Sequence, residues 1–227
     1  MEQATVTEIS CGILQNPKCL TRAQSLLYSS YVKELGWQIN PQNPSNIQVI
    51  EQDNRLLLVD DYDDCSTWFA IYHHHTMMAC ARLCHDDANG LLEIERYENA
   101  RKALEPILRQ KQTLNLVELN REAIIPLVCG HKPYYALKVL KAVFQHCIAH
   151  EQSILTTCNI KEWVALYDLI GWQPIPDYTF KYCQSEPAPV SVYLATPSEL
   201  IELTSAISDC LSGLSPRPKN MPLIASV

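Results

Sequence analysis

The stretch Leu114–Ile125, LNLVELNREAII, constrains the fold more than any other part of the chain. Branched and apolar residues alternate through it, a Gln- and Lys-rich run precedes it and Pro126 follows, so it reads as a β-strand. Strict alternation puts Val117, Leu119 and Arg121 on one face and Glu118, Asn120 and Glu122 on the other. Glu118 and Arg121 can share a face only if the strand bulges between them, and bulges commonly re-aim side chains beside active sites. A loop with Gly130 and a long helical pattern come next. Strand, loop and helix N-terminus together suit an anionic ligand or a thioester carbonyl.

Around this strand the chain supplies elements for a mixed sheet. Leu20–Leu35 has helical spacing, with Asn16 or Thr21 as cap and Gly36 as stop. Ile47–Val59 suits either strand or helix. Thr67–Tyr72 and Thr76–Leu83 form a hairpin with His73, His74 and His75 near its tip. Leu91–Gln112 reads as helix, interrupted or restarted at Pro106. A helix over Pro133–His150, a strand at Ile154–Thr157, a helix at Lys161–Ile170, strands at Phe180–Tyr182 and Val190–Ala195, and a helix at Ser198–Leu211 follow. Early antiparallel strands with later strand–helix–strand units give an α/β (α+β) class: a mixed, mostly antiparallel twisted sheet with helices on both faces. No repeat or linker interrupts the 227 residues, so one domain is expected, with its core over about 20–196 and a helix and loose tail at 197–227.

Composition narrows the function classes. A hydrophobic content of 47% and a charged content of 19% suit a globular protein. No apolar run reaches membrane-spanning length, and MEQATVTEIS is unlike a signal peptide, so the expected location is the cytoplasm. The ten cysteines are scattered without a CxxC and read as small packed thiols. A net charge of −7 argues against nucleic acid as a partner. Arg96–Lys111 nevertheless carries five basic and two acidic residues, and Lys132, Lys138 and Lys141 form a second basic group.

Five segments resemble one branch of the GCN5-related N-acetyltransferase (GNAT) superfamily, the N-acyl amino acid synthases and the acyl-homoserine-lactone autoinducer synthases. LLYSSYVKELGW is similar to their first helix, with Tyr31 and Trp37, and DDYD to their acidic turn, with Asp60 and Asp63. ACARL is similar to their arginine strand, with Arg82, and VELNR to their E-x-x-R strand, with Glu118 and Arg121. LYDLIGW is similar to a helix ending that recurs through the superfamily. PLVCGHKPYY lacks the glycine-rich coenzyme A loop that most of the superfamily carries, a loop this branch dispenses with. Leu27 and Leu58 stand where lactone synthases place an arginine and an acid, which favours the N-acyl amino acid synthases over users of S-adenosylmethionine.

The resemblance implies a GNAT-like acyl-CoA N-acyltransferase fold. It also implies transfer of a long-chain fatty acyl group from acyl carrier protein, or from acyl-CoA, to the α-amino group of an amino acid, with no permanent cofactor. The alternatives are a lactone synthase, a coenzyme-A-dependent acetyltransferase, and a non-catalytic module that binds an acyl ligand or a protein.

Each residue has a functional and a structural reading. Glu118 suits the base that takes a proton from the amine, or a structural network with Arg121, Arg82, Asp60 and Asp63. Arg82 either binds a substrate carboxylate or pairs with Asp60; Asp60 and Asp63 brace a turn or meet the amine. Tyr31 and Trp37 wall the substrate site or pack in the core. Tyr167 stands where many acetyltransferases place a general acid, against a core tyrosine with a surface hydroxyl. Lys138 and Lys141, extended by Arg101, Lys102 and Arg109, would dock an acidic carrier protein. Neither the three adjacent histidines nor Cys80, Cys84 and His85 have metal-ligand spacing, so no metal is expected. Cys129 beside His131 is a candidate nucleophile–base pair, with an idle loop thiol as its rival.

Overall fold

A computed structural model describes residues 9–126, 132–182 and 188–214. The chain runs β1 (Ile9–Ile13), α1 (Pro17–Leu27), a π-helical segment (Tyr28–Glu34), β2 (Gln48–Gln52), β3 (Arg55–Val59), β4 (Ser66–His73) and β5 (Thr76–Cys84). A 3₁₀ turn (Glu93–Arg96) and three short helices, α2 (Glu98–Ala103), α3 (Glu105–Leu108) and α4 (Lys111–Leu114), lead to β6 (Leu116–Ile124). Then come α5 (Lys132–Ala149), β7 (Ser153–Cys158), α6 (Lys161–Leu169), β8 (Thr179–Phe180), β9 (Val190–Ala195) and α7 (Pro197–Gly213).

Among the described residues, seven strands form one sheet in the order β1-β4-β5-β6-β7-β9-β8, and β2 pairs with β3 in a separate hairpin. Every pairing is antiparallel except β6 with β7. Alternation sorts the apolar residues onto two faces. Phe69, Ile71, Val117, Leu119 and Ile154 face α5, α6 and α7. Trp68, Ala70 and Cys80 face α1, while Leu116, Leu155 and Val192 face the turns around Leu92–Ile107. This is the mixed, two-face architecture that the sequence implies.

Local chemistry sets the boundaries. Asn16 caps α1, its side chain accepting from the Lys18 N–H at 2.9 Å, and Pro17 fits the first turn. Thr21 lies inside the helix and donates to the Pro17 carbonyl instead. The expected helix to Leu35 loosens at Tyr28 into the π-helical segment, a widening often found at functional sites. Ile47–Val59, left open by pattern, is a hairpin because Asp53 and Asn54 both take positive φ, 50° and 58°, as a tight two-residue turn requires. Leu91–Gln112 is helical as the pattern implies, but in short pieces, a 3₁₀ turn and three helices, one of which, α3, starts afresh with Pro106 in its first turn. The Gly130 loop and the Cys129–His131 pair lie outside the described residues.

Two features of β6 position the site. Its parallel pairing with β7 spans only Leu116↔Ser153, Val117↔Ile154 and Glu118↔Leu155, although both strands continue. Beyond Glu118 they separate. Against β5 the register shifts between Cys80 and Arg82, opposite Asn120 and Ala123, and Arg121 has φ 53°. A left-handed non-glycine residue in a strand is a bulge.

Candidate active site

The bulge sets which side chains meet. Before it, Glu118 and Asn120 point to the face of α1 and the 3₁₀ turn, and Arg121 joins them there. After it the alternation is reversed, and Glu122 turns to the α6 face. The expectation that Glu122 shares a face with Glu118 is thereby corrected: one inserted residue changes the phase.

Arg82 centres the first group. Its Nε donates to Asn120 at 2.8 Å, Nη1 to Asp60 at 2.5 Å and Asp63 at 2.9 Å, and Nη2 to Glu93 at 2.5 Å. It is fully buried with every nitrogen engaged, which removes the reading in which Arg82 grips a substrate carboxylate. Arg121 donates to Asp60 at 2.8 Å and Glu93 at 2.6 Å, and its guanidinium lies 5.8 Å from the Trp37 ring centroid. Asp60 and Asp63 also brace their turn, accepting from the N–H groups of Tyr62 and Asp60. Burial would raise Asp60, but the charges of Arg121 and Arg82 hold it down at about 2. Burial and the charge of Asp60 raise Asp63.

Glu118 borders this network and, among the described residues, makes no salt bridge in it. It accepts from the Ile94 N–H at 2.9 Å and from Asn120 at 3.1 Å. Burial first, and the charge of Glu93 second, push it up to about 7. It occupies the last position where β6 and β7 still pair.

The second group lies in the gap beyond that pair. Tyr167 of α6 is fully buried and donates a very short hydrogen bond to Glu122, so its hydroxyl is not at the surface. Burial pushes Glu122 up to about 7, and burial and the Glu122 charge raise Tyr167. From the π-helical segment, Tyr31 donates to the Glu122 carbonyl at 3.2 Å and Ser30 to the Ile124 carbonyl at 3.0 Å, both beyond the point where β7 leaves β6. The Tyr31 and Trp37 rings stand 5.3 Å apart.

Sequence reasoning missed Glu93, which bridges both arginines, and Glu122. Glu93 sits in a Leu/Glu/Arg run that reads as an ordinary solvated helix. Glu122 is misplaced by strict alternation.

The expected basic patch divides in two. Lys138 and Lys141 lie on α5, with Lys138 over the Tyr134 ring and Lys141 bonded to Ser208 of α7. Arg101, Lys102 and Arg109 lie on α2 and the end of α3, across the sheet. They line an open groove of about 420 Å³ with Glu95, Glu105 and Leu108, and Lys102 and Arg109 pair with Glu98 and Glu105. One continuous patch is excluded. Among the described residues no cluster suits a metal ion, and no helix is long and apolar enough to cross a membrane.

No protein-family model matches the chain, and no curated protein matches its sequence. Solved structures do match. The N-acyl amino acid synthase FeeM from uncultured soil microbes superposes with a TM-score of 0.62 at 14% identity, over 87% of this chain and 95% of that one. The chain shares the fold of that synthase. The acyl-homoserine-lactone synthase LasI gives 0.54 at 14% identity over 87% and 95%. The CoA-dependent lactone synthase BjaI, solved with SAM and isopentyl-CoA, gives 0.57 at 13% over 88% and 90%. The chain therefore shares the fold of these enzymes, the fold that the five sequence segments imply, and its sheet parts beside Glu118.

Proposed function

We propose that the protein is an N-acyltransferase that moves a fatty acyl group from a carrier-bound thioester to the α-amino group of an amino acid. One observation carries the reading: a buried carboxyl, Glu118, with its pKa near neutrality, stands where the parallel strands part. The break in strand pairing suits a thioester arm running between the strands, and the carboxyl suits proton removal from an amine.

The acceptor arrives as an ammonium ion and must lose a proton before its nitrogen lone pair can attack. Glu118 takes that proton. The C–N bond forms, the tetrahedral adduct collapses and the C–S bond breaks with its electron pair on sulfur. Overall the nitrogen loses two protons; one ends on the thiol and one in solvent. Asp60, Asp63, Glu93 and Glu118 set four carboxyls against the two guanidinia of Arg82 and Arg121, a surplus that favours a cationic amine. Arg121, with its Nη1 outside the hydrogen bonds to Asp60 and Glu93, is the arginine left for the acceptor carboxylate. The acids are buried, and Trp37, which lies over Arg121, is the side chain whose movement would admit the acceptor to this arginine. Leu27 and Leu58 are core residues, which supports an acceptor other than S-adenosylmethionine.

The test supplies acyl carrier thioester or acyl-CoA, with free amino acids or with S-adenosylmethionine, and weighs the products by mass spectrometry. An N-acyl amino acid from the carrier thioester is expected. An acyl lactone that needs S-adenosylmethionine, or a product from CoA alone, would replace this reading with one of its neighbours. No product in any arm would favour a non-catalytic module.

A further inference from the structure

Resting on that reading and going beyond it, we propose that Glu122 supplies the proton that Tyr167 delivers to the departing thiolate. Glu122 is a positioning and proton-supplying residue acting through Tyr167.

The geometry points in this direction for three reasons. First, Glu122 has left the Glu118 face, so β6 presents one buried carboxyl to each side of the sheet. Second, its hydrogen-bonded partner is a fully buried phenol on α6, and among the described residues no cation pairs with it: Arg121 is turned to Asp60 and Glu93. Third, the pair lies where β6 and β7 have parted. Among the described residues, the ionisable groups around Glu122 are Tyr167 from α6, Cys158 from the end of β7 and Tyr31 from the π-helical segment. Burial, and then Glu122, hold the Cys158 thiol up at about 12, so it stays protonated and does not compete as a nucleophile.

Protonation decides what the pair can do. With Glu122 ionised, the phenol proton is committed to the carboxylate. With Glu122 protonated, the carboxyl donates to the phenol oxygen and frees the phenol proton for sulfur. When the C–S bond breaks, its electron pair goes to sulfur, the Tyr167 proton follows, and the Glu122 proton replaces it. Glu122 is left ionised and regains a proton from solvent.

Since Glu122 works protonated and Glu118 works ionised, both with pKa near 7, turnover should follow a narrow bell centred near neutral pH. The test compares wild type, Glu122→Gln and Tyr167→Phe on an acyl pantetheine thioester and on the acyl thiophenol thioester, whose acidic thiol leaves without help. Both variants should lose about 100-fold on the pantetheine ester. Both should recover to near wild-type turnover on the aryl ester, and Glu122→Gln should lose the alkaline limb of the bell. Glu118→Gln should not be rescued. Equal losses on both esters, or an unchanged alkaline limb, would overturn the relay. A direct reading needs no turnover: the infrared carbonyl band of a protonated carboxyl, isolated as wild type minus Glu122→Gln, should titrate near pH 7. Its absence at pH 6 would overturn the relay, whereas an inactive wild type would count against the proposed reaction.

Discussion

Glu118 and Glu122 are four residues apart in one strand yet face opposite sides of the sheet. In a regular strand an even step keeps residues on one face. Arg121, at φ 53°, breaks the count. The bulge therefore does two jobs: it swings Arg121 onto Asp60 and Glu93, and it sends Glu122 to Tyr167. Left-handed backbone at a non-glycine residue costs about 1–3 kcal/mol and persists where surrounding contacts over-determine it. Here those contacts are ion pairs.

Stability should depend on pH through the two raised acids. Glu118 and Glu122 move from 4.5 to about 7 on folding, so the folded state holds their protons more tightly. Their contribution is complete below the unfolded value of 4.5 and is lost as pH rises through 7. Asp60 runs the other way, held at about 2 against 3.8, and its contribution is lost as pH falls through that window. Urea midpoints should peak near about pH 4–5 and fall toward pH 8, with each glutamate contributing on the order of 3 kcal/mol at most. Glu122→Gln should flatten that fall; an unaltered slope would show that Glu122 does not titrate there.

Arg82→Ala should be among the most destabilising single changes in the chain. It would leave Asp60, Asp63 and Glu93 buried without their shared cation. A loss of about 3–5 kcal/mol is expected, read from denaturant unfolding. A loss under about 1 kcal/mol would mean that water reaches the cluster.

Trp37→Ala separates packing from substrate gating. The ring is 37% exposed and covers Arg121. Losing the cation–π contact should cost about 0.5–1 kcal/mol of stability. The acceptor KM should change far more than the melting temperature. If the two move together, Trp37 only packs.

The divided basic surface makes the docking question two-sided. The 3₁₀ turn that carries Glu93 runs directly toward α2, on the Glu118 face. Charge reversal at Arg101, Lys102 and Arg109 should therefore raise KM for a carrier-protein donor about tenfold while sparing a small thioester. Reversal at Lys138 and Lys141 should leave both donors alone. The opposite pattern would move the docking face to α5.

Strands and hairpins were legible because short apolar and branched runs bounded by turn residues are a strong local signal, as in β4, β5 and β9, whose side chains are buried on both faces of the sheet. The acidic turn, Arg82 and the Glu118–Arg121 strand could be picked out by resemblance. The bulge could not be fixed in advance, because it is settled by ion pairs from Asp60 and Glu93, remote in sequence. Glu93 was hidden because good helix formers over Leu91–Gln112 mask a run of short helical pieces set by packing on β6 to β9. For Tyr167 the LYDLIGW ending gave the position, but only the structure gives its partner.

The most direct measurement is kcat/KM of Glu118→Gln against wild type across pH 5 to 9, with an acyl carrier thioester and an amino acid acceptor, after circular dichroism has confirmed the fold. The proposal requires a loss of about 100-fold or more and disappearance of the acid limb near pH 7. A folded variant with wild-type turnover and the same limb would contradict it.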